Sequence, residues 1–250
     1  MPRAQHLPSE FTVEGCDAPI ALRFVPTARR MTLRVNQAKR TVRLSAPASC
    51  SVEQARQFAA QQVGWINDRL GSLAQVVAFQ DEAVIPLRGA PRTLRFVGIR
   101  GQGPDVQRDD GAVTSSQVRL LVNDHGGLGA QRLEAWLKEE AKADLRIRVA
   151  HHARRLNVAP QRITVRDQSS RWGSCSSKGA LSFSWRLILA EPFVLDYVAA
   201  HEVAHLREMN HSHRFWALVR ETLPDYERAE NWLRRHGAGL HRYGAATPVA

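Results

Sequence analysis

Cysteine is scarce in this chain of 250 residues: Cys16, Cys50 and Cys175 are the only three. An odd number without close spacing argues against a disulfide framework and against a cysteine-rich zinc ribbon. No apolar run approaches the roughly 20 residues that cross a bilayer, so no membrane partner is expected. The opening stretch, MPRAQHLPSEFTVEG, lacks the apolar segment of a signal peptide, and a soluble cytoplasmic protein is the expectation. Lysine is rare too, since 31 of the 35 basic residues are arginine. There is no basic tail: residues 1–130 hold 16 basic and 11 acidic side chains, and residues 131–250 hold 19 and 13. The net charge of +11 therefore suits a nucleic-acid partner without singling out a patch for one. The 44% hydrophobic content is enough for a real core in one large domain or two small ones.

Apolar periodicity places the elements. Met31, Leu33 and Val35, then Val42 and Leu44, alternate as strands do, with a turn expected over 36–40. Ser51 and Gln54 form a capping-box pattern opening one helix over about 51–70, and Trp65 near its end is expected to pack. Strands are expected within 83–100, with Leu94, Phe96 and Ile99 apolar, and again at 118–122. The Gly-, Asp- and Ser-rich segment 101–117 suggests an exposed loop, and Gly126, Gly127 and Gly129 suggest a linker. A long helix follows over 131–156, with His151 and His152 expected at its solvent-facing end. Ile163 and Val165 mark a strand, and Leu181 to Leu189 alternate like a second one across a polar loop. The last helix is expected over 225–236 with Gly237 as its stop. Strands first and helices later give an α+β chain: a β-rich N-terminal region over 1–125 carrying one helix, then a helical domain over 126–250 with a small antiparallel sheet.

Four of the ten histidines fall between His201 and His213, in HEVAHLREMNHSHRFW. His-Glu-x-x-His on a helix sets two imidazoles on one face, one turn apart, where both can grip one ion. Glu202 lies beside that face, placed to act as base on a water activated there. The helix is expected from Pro192 to about Arg207, and Val194, Leu195, Val198, Ala199, Val203 and Leu206 make it apolar nearly all round. Such a helix is buried, and buried polar groups need partners, which a metal supplies. A catalytic zinc needs a third protein ligand and keeps one position open. His211 can return to the metal if 207–210 ends the helix and reverses the chain. His213 competes from the start of a further helix capped by Ser212, and Glu221 or Glu227 are carboxylate alternatives. Before the metal helix, RWGSCSSKG surrounds one Trp and one Arg with small polar residues. Trp172 suits the core, Cys175 is a further ligand type, and Arg171 can hold a carboxylate or face charge developing on a carbonyl oxygen.

The stretch RWGSCSSKGALSFSWRLILAEPFVLDYVAAHEVAHLREMNHSHRFW closely resembles the YgjP-like metallopeptidases, relatives of the SprT-like zincins. ARRMTLRVNQAKRTVRLSAPA, VGWINDRL and PDYERAENWLRRHG extend the likeness over about 20–240. The resemblance implies a zincin-like, zinc-dependent peptidase acting on a peptide or protein. It places His201, His205 and His211 on zinc and Glu202 as the catalytic residue. His213 stands where the family pattern suggests a lysine or another polar residue. Arg171, Tyr197 and His213 are the candidates to meet substrate or transition state. The alternative is a nucleic-acid-associated protein whose zinc is structural or latent.

Overall fold

The computed structural model describes residues 10–36, 41–71, 75–98, 104–109, 118–168 and 170–244. The chain forms two compact units, divided between Gln75 and Val76. The break does not fall in the glycine-rich stretch near 126, because the strands before it and the long helix after it bury their apolar side chains in one core.

In the first unit, β1 (Glu10–Phe11), β2 (Ile20–Val25), β3 (Thr32–Asn36) and β4 (Thr41–Pro47) form a sheet in the order β1-β2-β4-β3. The β2–β4 pair is parallel and the other two are antiparallel. Ile20, Leu22, Val42, Leu44 and Ala46 alternate onto the buried face. Residues 37–40 of the expected turn lie outside the described residues. The expected capping box is present, with Ser51 Oγ accepting from Gln54 N–H at 3.1 Å and Gln54 Oε1 from Ser51 N–H at 2.8 Å. The single helix expected there is two, α1 (Val52–Ala60) and α2 (Val63–Gly71). At the join, Gln62 N–H bonds Ala59 O, three residues back rather than four, which tightens the turn and breaks the ladder. Ala55, Ala59, Ile66 and Leu70 still face the core, while Trp65 points into solvent rather than packing.

In the second unit, β5 (Val84–Leu87), β6 (Ala90–Val97), β7 (Val106–Asp109) and β8 (Arg119–Asn123) form a sheet ordered β5-β6-β8-β7. Strand β7 lies where a loop was expected, while Ile99 and most of 101–117 lie outside the described residues. Gly126 and Gly127 turn the chain with positive φ, and Gly129 already opens α3 (Gly129–Arg155). Leu133, Leu137, Ala141, Leu145 and Val149 form the fully buried stripe of α3. Then come β9 (Arg162–Arg166), β10 (Gly173–Cys175) and β11 (Ala180–Ser184). Their sheet is mixed rather than antiparallel: β11 is central, parallel to β9 and antiparallel to β10. The second expected strand ends at Ser184, because Ser184 Oγ accepts from Arg186 N–H and starts a 3₁₀ turn over Trp185–Leu189. All five residues of that turn are buried, so its apolar residues needed no alternating exposure. Helices α4 (Pro192–Ala204), α5 (His213–Thr222) and α6 (Tyr226–Leu240) complete an α+β architecture. Gly237 does not stop α6. It is buried inside that helix, where a Cβ would stand 3.2 Å from the Trp172 ring. Among the described residues, no helix is long and apolar enough to cross a membrane.

Candidate metal centre

Helix α4 opens on Pro192, whose missing N–H is no loss in a first turn. It buries Val194, Leu195, Val198, Ala199 and Val203. His205 closes it in right-handed helical geometry, so His201 and His205 remain one turn apart, with ring centroids separated by 4.9 Å. Arg207 and Glu208 N–H groups both bond Ala204 O, and the chain reverses. That reversal brings His211 Nε2 to 3.0 Å from His201 Nε2. Ser212 then caps α5 by accepting from Phe215 N–H at 3.3 Å.

One ligand-capable nitrogen from each of His201, His205 and His211 lies within 4.8 Å of the other two. Nitrogens on a single tetrahedral zinc stand roughly 3.3 Å apart, so donors this close fit one ion. His205 Nδ1 donates to Glu208 O at 3.0 Å, which leaves Nε2 with a free lone pair. Burial, then the neighbouring imidazoles, push the His201 pKa down to about 3, and burial lowers His205. Neutral rings are what a metal requires. His201 Nδ1 is buried without a hydrogen-bond partner among the described residues.

Glu202 is 5% exposed. Burial pushes its carboxyl up to about 8, and the Arg171 guanidinium pulls the other way. Gly173 makes room for it: a Cβ there would stand 2.5 Å from Glu202 Oε1. Residue-by-residue reading missed this role, although a glycine amid RWGSCS is the kind of residue that permits close approach. Around the histidines, α5 supplies a wall. The Phe215 ring lies 4.8, 4.5 and 4.8 Å from the rings of His201, His205 and His211. Trp216 stacks on His211 and on Tyr226, and Tyr226 stacks on Tyr197.

Other candidates stand outside the cluster. His213 opens α5 in an exposed position, and Glu221 and Glu227 are exposed. Cys175 is half-buried, with its thiol pKa raised by burial and by the Glu202 charge, and its Sγ is not among the converging atoms. Tyr197 is buried edge-on to His201 at 5.8 Å, and burial raises its pKa. Arg171 is exposed. Trp172 packs against the core as expected and stacks on His241 at 5.0 Å. His152 is a correction. It is fully buried, with Nε2 2.7 Å from Asp196 Oδ1 and Nδ1 2.7 Å from Thr222 Oγ1. The signal lay in α3, since 152 follows Val149 by three and Leu145 by seven and so falls on the buried stripe.

No curated protein matches the chain. It is similar to a solved structure, the metallopeptidase zymogen of Pyrococcus abyssi abylysin, at 23% identity over 40% of this chain and 97% of that one, with a TM-score of 0.35. Residues 29–236 match the YgjP-like metallopeptidase domain, and the chain belongs to that family.

Proposed function

We propose that the protein is a zinc peptidase in which His201, His205 and His211 hold the ion and Glu202 is the general base. The observation that carries this reading is the convergence of three imidazole nitrogens beside a buried carboxylate on the same helix. Zinc, when bound, lowers the pKa of water in its open position to about 7 and polarises a scissile carbonyl. Glu202 takes the proton from the attacking water and passes it to the departing amine nitrogen. The carboxylate-bearing residue is buried on α4 and lies against Gly173 of β10. Arg171 acts on the Glu202 charge and is the residue to meet a carbonyl oxygen or a substrate carboxylate.

Glu202→Gln is expected to retain one equivalent of zinc and to lose peptide hydrolysis by about 100- to 10,000-fold. Elemental analysis together with digestion of a peptide library checks both. Turnover undiminished in the zinc-loaded variant would remove Glu202 as base. Zinc still bound with full affinity after His201→Ala would remove the triad.

A further inference from the structure

The three-stranded sheet carries an open groove of about 460 Å³ whose lining, Arg171 apart, has no part in the hydrolytic chemistry proposed above. Alternation along β9 puts Arg162, Thr164 and Arg166 on one face, while Ile163 and Val165 pack into the core from the other. Across the register, Thr164 pairs with Ser182 and Ser182 with Ser174, so the groove floor is lined with hydroxyls. Arg162, Arg166 and Arg171 all border it, and none of their side chains has an ion pair or hydrogen bond among the described residues. Elsewhere, Arg88, Arg148 and Arg186 are each held by a carboxylate. Among the described residues, no Asp or Glu lines the groove. Gln168 Nε2 donates to Ser182 Oγ at 2.7 Å, and Gln168 Oε1 is buried without a donor. At one end the groove reaches the hydrolytic centre, because Ser174 and Cys175 of β10 line it and Gly173 of the same strand lies against Glu202.

We infer that this groove docks an acidic stretch of an extended polypeptide, which makes acidic proteins the preferred substrate class. The inference rests on the peptidase reading above. Arg162 and Arg166 are four residues apart on one strand, about 13 Å at strand rise. An extended peptide has the same rise, so two carboxylates four residues apart meet both guanidiniums. Among the described residues no aromatic ring lines the groove, so none of them stacks a nucleobase.

The test uses the full-length Glu202→Gln protein loaded with zinc and a fluorescent peptide bearing two glutamates four residues apart. The same peptide with glutamines and an oligothymidylate serve as comparisons. The glutamate peptide is expected to bind about five- to tenfold tighter than its glutamine counterpart at low salt, an advantage that shrinks as salt rises. Arg162→Gln combined with Arg166→Gln should erase that difference with the thermal midpoint and zinc content unchanged. Arg162→Glu with Arg166→Glu should transfer the preference to a lysine peptide. Equal binding of the two peptides, or a preference that survives the double variant, overturns the inference. So does an oligothymidylate that binds more tightly than the glutamate peptide and is lost in the same variant, which would assign the groove to nucleic acid. Wild-type cleavage is scored separately. Cleavage without charge preference sinks the groove alone, and charge-selective binding without any cleavage sinks the peptidase reading alone.

Discussion

Gly173 and Glu202 form a contact in which each residue depends on the other. The carboxylate lies in the space a side chain at 173 would occupy, with Glu202 Cγ at 2.6 Å and Oε1 at 2.5 Å from an ideal Cβ. Glu202 is buried. Gly173→Ala is therefore expected to displace the carboxylate and lower kcat about 100-fold while zinc stoichiometry stays at one, since a displacement near 1 Å costs that much. Steady-state kinetics beside elemental analysis decides it, and unchanged kcat would mean the contact relaxes freely. The same carboxyl sets a pH signature in the metal-free protein. Its folded pKa, about 8, lies above the ordinary 4.5, so the folded state keeps a proton the unfolded state releases. The stability this gives is present below 4.5 and is lost as pH rises through 8. His201 and His241, lowered to about 3 and about 4, act in the opposite direction but only below their ordinary 6.5. Between about pH 7 and 8 the decline belongs to Glu202, and urea midpoints should fall in the wild type but stay level in Glu202→Gln. Level wild-type midpoints would contradict the raised pKa.

Helix α4 is fixed from behind by a partly buried network that reaches α3 and α5. Asp196, five residues before His201, accepts two bonds from Arg148 at 2.5 Å and one from His152 Nε2 at 2.7 Å. Burial raises the Asp196 pKa, and the His152 and Arg148 bonds more than reverse this, so it stays charged. With an anionic Asp196, His152 donates from Nε2 and accepts the Thr222 hydroxyl at Nδ1. Asp196→Asn keeps the shape but removes the charge from between an arginine and a buried imidazole. A loss of about 1–3 kcal/mol of stability is expected, read as a lowered denaturant midpoint, together with weaker zinc retention. A variant as stable as the wild type would show the network to be dispensable. Elements whose signal is local were legible in the sequence: the Ser51 box, the Pro192 start, the reversal before His211 and the Ser212 cap. Elements decided by tertiary packing were not. Leu187 and Leu189 look like a strand because a fully buried 3₁₀ turn shows the same apolar residues. Gly237 looks like a helix stop, yet its hydrogen is what Trp172 needs for close approach. His152 was legible in its spacing but hidden by its neighbour His151, which faces solvent.

At the scale of the molecule, the candidate metal ligands and the chain division lie far apart in sequence. His201, His205, His211, Glu202 and Gly173 all belong to the unit Val76–Ala250, whose core runs from Phe79 to Leu240. The unit Met1–Gln75 has a core of its own, built on Ile20, Val42, Leu44 and Ile66. The family match nevertheless begins at residue 29, inside the first unit. The candidate ligands thus all lie in the unit that does not contain the start of the family match. A fragment spanning 76–250 is expected to fold and to bind one zinc as tightly as the full chain does. Zinc at about 100 times its Kd should raise the fragment's stability by about 2.7 kcal/mol, because the ion binds only the folded triad. In the full chain, the same addition should move the melting of the second unit and leave that of the first in place. Calorimetry of the full chain and the fragment, each with and without zinc, resolves this. A fragment that stays unfolded with zinc present, or a full chain that melts in one zinc-shifted step, would tie the metal centre to the first unit.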